Sequence, residues 1–217
     1  MRSTISGVGV LDKAVALLDT VATRPSALSE LVQETGLSRA TAHRLASALE
    51  AHGLLRRDGE GRFTPGLRLV ALGRAAAEAF PLGEAALPAL EGLRGATGES
   101  VQLYLRQGDE RVCVAALESP HGLRTIVPLG AALPMGLGSA GRVLGGETGP
   151  AGWVETVEER ETGVASVSAP VTDESGAVLA AVSVSGPVER TSRSPGLRYG
   201  EAVVRAARQI EHAASLG

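Results

Sequence analysis

The chain has 217 residues, with 21 Lys and Arg against 24 Asp and Glu, and 44% of it is hydrophobic. A chain of this length buries most of its unfolded surface without disulfide staples, and its one cysteine, Cys113, excludes an internal disulfide framework or a Cys-rich zinc site. No run of about 18 apolar residues exists to span a bilayer, and residues 1–4 lead into no apolar signal core, so a cytoplasmic protein with no membrane partner is expected.

Taken in chain order, the first apolar pattern is Leu11, Ala14, Val15, Leu18, Val21 and Ala22, which recur with helical spacing. Arg24-Pro25 ends that helix. A second short helix is predicted over residues 28–35, with Leu31 and Val32 inward, Ser26 or Ser29 as its cap, and Gly36 just past its end. Ser38 then caps a third helix running to about Ala51. Its predicted buried stripe is Thr41, Leu45, Ala48 and Leu49, with Arg39, His43 and Ser47 opposite and Arg44 at the edge. A hairpin follows over residues 54–57 and 62–64 around Asp58-Gly59-Glu60-Gly61. Pro65-Gly66 breaks the chain, and residues 67–79 read as a linker helix.

Beyond Phe80 the pattern changes. One helix is predicted over residues 82–96, with strands at 100–106 and 111–118 around Gly108-Asp109 and a third strand at 124–127. A glycine-opened helix begins near Gly138. Two strands, 164–171 and 177–185, flank the turn Asp173-Glu174-Ser175-Gly176, and a final helix covers about 197–214. Antiparallel hairpins with flanking helices indicate an α+β fold. Charge divides the same way: residues 1–75 hold ten Lys and Arg against seven Asp and Glu, a net of +3, while residues 76–217 hold eleven against seventeen, a net of −6.

The third helix carries the clearest functional signal. A helix following a short helix that ends in glycine is the helix-turn-helix pattern, and its N-terminal residues would enter a major groove. Arg39 and Arg44 can donate bidentately to guanine, while Arg56, Arg57 and Arg62 on the hairpin can neutralise phosphates. The spacing alone also fits an ordinary three-helix bundle with a solvated basic face.

Residues 28–45, Leu-Ser-Glu-Leu-Val-Gln-Glu-Thr-Gly-Leu-Ser-Arg-Ala-Thr-Ala-His-Arg-Leu, resemble the helix-turn-helix of the IclR family. So do the opening Gly7-Val8-Gly9-Val10-Leu11-Asp12-Lys13-Ala14 and, later, residues 163–171 and 180–187. The blocks lie in the family's order and span nearly the whole chain. The resemblance implies a winged helix-turn-helix domain over residues 1–66, a linker helix over 67–80 and a GAF-like effector-binding domain over 81–217. It also implies a homodimer that can pair into a tetramer, a pseudo-palindromic double-stranded operator, and DNA contacts from Ser38, Arg39, Thr41, His43, Arg44, Arg57 and Arg62. The resemblance points to a branch tied to amino-acid metabolism. One departure stands out: between the helix at 139–144 and Trp153, where relatives carry some tens of residues that help to wall the effector pocket, this chain has only residues 145–152.

The remaining motifs point mostly away from catalysis. Gly136-Leu137-Gly138-Ser139-Ala140-Gly141 spells a dinucleotide fingerprint, but Leu133-Pro134-Met135 does not make the strand that must precede it. Resemblance places Ser139 and Ala140 at the pocket's edge instead, where a helix start offers free N–H groups to an anion. Ser183 and Ser185 are two apart on one strand and Ser166 and Ser168 on its neighbour, so four hydroxyls can line a small polar pocket. They equally fit a solvated strand face. Glu159, in the acidic run just before the serine strand, is a candidate lid. Cys113 reads as a small core residue; His43, His52, His121 and His212 show no metal spacing, and no Gly-x-Ser-x-Gly elbow occurs. No cofactor and no enzymatic activity are expected. The expected ligand is a small organic acid or amino-acid-related molecule held by Ser139, Ala140, Ser166, Ser183 and Ser185. A regulator gated by a protein partner, and an enzyme that uses the helix-turn-helix to dimerise, remain as alternatives.

Overall fold

The computed structural model describes residues 8–79 and 82–215. Gly7, the opening residues, the expected linker end at Phe80 and the expected domain start at Pro81 lie outside them. The chain divides into two compact units, Met1–Ala79 and Phe80–Gly217.

The first unit runs α1 (Gly9–Thr23), α2 (Leu28–Thr35), α3 (Arg39–Ala51), β1 (Leu55–Arg57), β2 (Phe63–Pro65) and α4 (Arg68–Ala79). Leu17 and Val21 of α1, Leu31 of α2, Ala46 and Leu49 of α3, and Leu55 and Phe63 of the hairpin share one core. Two start signals differ from expectation at α2. Neither Ser26 nor Ser29 caps it; Ala27 is the N-cap, and its N–H donates to Glu30 Oε2 at 2.7 Å. Ser26 is committed elsewhere: its N–H donates to the Phe63 carbonyl at 3.0 Å and its carbonyl accepts from Phe63 N–H at 2.8 Å, which ties α2 to the hairpin. Gly36 then takes the left-handed conformation, φ 68°, that lets the chain turn out of α2.

Ser38 caps α3 as expected, accepting from Thr41 N–H at 3.3 Å. The buried stripe is not the predicted one. Ala42, Ala46 and Leu49 are buried, Thr41 and Leu45 are half-buried, and Ala48 is exposed. The helix is rotated by about one position because Ala42 and Ala46, with no side chain beyond Cβ, allow close approach to α1 and α2.

The second unit comprises α5 (Leu82–Ala85), α6 (Leu87–Thr97), β3 (Ser100–Gln107), β4 (Glu110–Leu117), β5 (Ala132–Pro134), α7 (Ser139–Leu144), β6 (Val154–Val157), β7 (Val164–Thr172), β8 (Val178–Pro187), α8 (Val188–Thr191) and α9 (Pro195–Ser215). Six antiparallel strands form one sheet in the order β5-β4-β3-β8-β7-β6. The period of two sorts its faces. Val167, Ala169 and Val171 of β7 and Ala180, Val182 and Val184 of β8 face α6 and α9, meeting Leu90, Leu93, Val203 and Ile210. The alternate positions Ser166, Ser168, Ala181, Ser183 and Ser185 lie on the face that carries α7.

Three expectations are corrected here. The helix predicted over 82–96 is two helices, because Pro88 in the first turn of α6 has no N–H to continue the helix before it. Residues 124–127 are not a strand; pairing with β4 resumes only after the turn at Pro128, where the Cys113 N–H donates to the Ala131 carbonyl at 3.0 Å. Leu133-Pro134-Met135, expected to make no strand, puts Leu133 and Pro134 in β5, directly ahead of the glycine-rich segment, and Pro134 suits its edge position. Strand β6 and helix α8 had no reading in the sequence. Among the described residues no helix is long and apolar enough to cross a membrane.

Candidate functional site

In the first unit the exposed face of α3 presents Arg39, Ala40, His43 and Arg44, with Ser38 exposed at its start and Thr41 half-buried beside them. Because the helix is rotated, Arg44 stands within this face rather than at its edge. Arg39, His43 and Arg44 have no hydrogen-bond or ion-pair partner among the described residues, so their donors face water. Ser38 Oγ and Thr41 Oγ1 lie 3.0 Å apart and are partly occupied by capping.

The hairpin arginines are held differently. Arg62 pairs with Asp58 at 2.8 Å and Glu60 at 3.0 Å. Arg57 pairs with Glu50 at 3.3 Å, donates to the Gly61 carbonyl at 3.0 Å, and lies 4.1 Å over the Phe63 ring. Burial pushes the Asp58 carboxyl up, but bonds from the Arg62 side chain and from the N–H groups of Arg62 and Glu60 outweigh it, and the net direction is down.

In the second unit the register of β7 on β8 sets Ser166 opposite Ser185 and Ser168 opposite Ser183, while β6 sets Thr156 opposite Ser166. The start of α7 comes down on this face. Ser139 Oγ hydrogen-bonds with Ser166 Oγ and with Ser168 Oγ, each at 2.8 Å, and Ser168 donates onward to Ser183 at 2.9 Å. Thr156 Oγ1 accepts the Ser139 N–H at 3.0 Å and also lies 3.0 Å from Ser166 Oγ. Ser185 donates to Gln102 Oε1 at 3.1 Å. Five hydroxyls from α7, β6, β7 and β8 are thus joined in one network.

A small cleft, partly open to solvent, lies over the network. It is lined by all five expected ligand residues, Ser139, Ala140, Ser166, Ser183 and Ser185, together with Glu159. Ser168 instead sits beneath, wholly buried. Tyr104, Arg111, Thr156 and Arg160 also line the cleft and were not foreseen. Thr156 belonged to an unread strand, and Arg111 was read only as the first residue of the strand predicted over 111–118.

Arg111 is in fact 3% exposed. Its Nη1 donates to the Pro134 carbonyl, its guanidinium lies 5.5 Å from the Tyr104 ring centre, and its Nε has no partner. Burial pushes its pKa down and that of Tyr104 up. The glycines of 136–141 are explained by this packing. A Cβ at Gly141 would collide with the Met135 carbonyl and the Arg111 guanidinium, and Gly138, at φ 81°, precedes α7 in a conformation that side chains rarely adopt.

Residues 10–59 match the model of the IclR helix-turn-helix domain, and residues 74–146 and 146–212 match that of the bacterial transcriptional regulator IclR C-terminal domain. The second match breaks at Gly146, at the connection that is short in this chain. The HTH-type transcriptional regulator KipR of Bacillus subtilis is 34% identical over 131 residues, 60% of this chain and 52% of the relative. The transcriptional repressor IclR of Escherichia coli is 25% identical over 240 residues, 92% of this chain and 88% of the relative. Among solved structures, an IclR homolog from Microbacterium hydrocarbonoxydans complexed with 4-hydroxybenzoate superimposes with a TM-score of 0.78 at 23% identity, covering 96% of this chain and 100% of that one.

Proposed function

The chain belongs to the IclR family of transcriptional regulators, and from that premise we propose that it binds operator DNA through α3 with an affinity set by a small organic acid or amino-acid-related metabolite in the serine cleft. The observation that carries the gating half is the meeting of Ser139, Thr156, Ser166 and Ser183 in one hydroxyl network beneath an open cleft. The network holds these hydroxyls in fixed positions, and Ser139, Thr156, Ser166 and Ser183 reach the cleft's lining, where their remaining donor and acceptor capacity can meet a polar ligand. The 4-hydroxybenzoate complex of the Microbacterium relative supports a carboxylate as ligand.

On the DNA side, Arg39 and Arg44 read base edges while Ser38, Thr41 and His43 lie alongside them, and Arg57 and Arg62 approach phosphates from the hairpin. One such helix reads few base pairs, so the working unit is a two-fold dimer on a pseudo-palindrome. Val10, Leu11 and Val15 of α1, and Leu67, Val70 and Leu72 in and before α4, are exposed in the single chain and supply apolar surface for it. A strictly monomeric mass by light scattering at micromolar concentration would contradict the dimer. Gel retardation of the DNA upstream of the protein's own gene, repeated with each metabolite that raises its melting temperature, tests the whole reading. Retardation that no stabilising metabolite alters leaves a regulator gated by a protein partner, and no retardation at all favours an enzyme.

A further inference from the structure

We propose that Arg111 is the counter-ion of the cleft's ligand and makes the site selective for a small carboxylate over neutral molecules of the same shape. The proposal rests on the ligand-gated reading above. Arg111 is a buried, permanently charged group. Among the described residues no carboxylate pairs with it; its neighbours are a carbonyl, an aromatic face and a backbone glycine. A cation taken out of water without a counter-ion is strongly disfavoured, and here Nε is unpartnered as well. Within the cleft Glu159 acts on Arg111 only through space, and burial and Arg160 oppose it. Glu159, the acid on its lining, is already bound by Arg142 at 3.1 Å. Arg160 adds a second cation to the lining, and its partner Glu161 is well exposed and 3.8 Å away. The hydroxyls are neutral. A planar, singly charged carboxylate fits one guanidinium edge and a row of hydroxyl donors, and the narrow cleft favours a small one.

Saturation-transfer NMR on the full chain with acetate, propionate, pyruvate and lactate, each beside its primary amide, tests this. Wild type is expected to bind at least one acid about tenfold or more tightly than its amide. Arg111→Gln should erase that ratio, Arg111→Lys should keep part of it, and Ser183→Ala with Ser185→Ala should weaken acid and amide alike. Equal binding of acid and amide by wild type, or an unchanged preference in a folded Arg111→Gln, overturns the role of Arg111 and leaves the cleft as a ligand site. If neither acids nor amides bind, the cleft reading fails and this one with it. If Arg111→Gln does not fold, the wild-type ratio and Arg111→Lys decide.

Discussion

Arg44 and Arg111 are both arginines with no carboxylate partner among the described residues, and they stand in opposite surroundings. Arg44 is on the exposed face of a helix, where water solvates it at no cost to the fold and it stays available to a large anionic partner. Arg111 is enclosed between β5, Tyr104 and the start of α7, where only something small can reach it. Under the proposed function the same side chain would serve two kinds of anion recognition: a long-range, salt-sensitive one and a short-range one strengthened by low local dielectric. The paired arginines of the hairpin are an internal control, since their charge is largely spent within the protein.

The comparison can be broken first on the DNA side. Arg39→Ala and Arg44→Ala are each expected to cost about 1–3 kcal/mol of operator affinity, read by fluorescence anisotropy. Unchanged affinity in the double variant would return α3 to a solvated bundle face. Next comes the cleft. A ligand present at a hundredfold excess over its dissociation constant should stabilise the fold by about 2.7 kcal/mol. That appears as a rise of several degrees in melting temperature, and Ser183→Ala with Ser185→Ala should abolish it. A full shift in that variant would move the site elsewhere. Gly141→Ala sharpens the packing claim: with a Cβ against the Met135 carbonyl, a loss of about 1–3 kcal/mol by chemical denaturation is expected, and an unaltered midpoint would contradict the close approach of α7.

Smaller effects are expected from groups already satisfied. Arg57→Gln and Arg62→Gln should weaken binding to all DNA sequences alike, lowering the salt-dependence slope by less than the roughly one unit that a free cation contributes. A full unit each would mean the ion pairs open on binding. Cys113 should hardly react at all. Burial pushes its thiol up to about 11, so the thiolate that alkylating agents need is scarce at neutral pH and grows only as pH rises toward that value. Rapid iodoacetamide labelling of the native protein near neutral pH would show that the sheet opens.

How much of this was legible follows from sequence distance. The exposed face proposed to meet DNA spans residues 38–44, and a cap, a glycine and a 3.6-residue period were enough to place those residues on the third helix. Even so, the wheel was off by one position, because alanine carries too little hydrophobic signal to reveal that Ala42 and Ala46 are the buried ones. The serine pairs of β7 and β8 were legible because each repeats with the strand period. Their joining by Ser139 and Thr156 was not, since it depends on α7 and β6 folding onto the same face from 10 to 29 residues away. Arg111 could not be found by pattern, for a charged residue at a strand end reads as solvated unless the element that covers it is known. Strand β6 escaped because its polar Glu155 and Thr156 sit in a four-residue run too short to show alternation.

The most direct test of the account is operator affinity measured by anisotropy with and without a carboxylate that raises the melting temperature, in wild type and in Ser183→Ala with Ser185→Ala. Separate sites coupled through the fold predict that the acid shifts wild-type affinity, while the variant keeps ligand-free affinity and ignores the acid. An acid that stabilises the protein but leaves wild-type affinity unchanged, or a variant that loses DNA binding without any ligand, would contradict it.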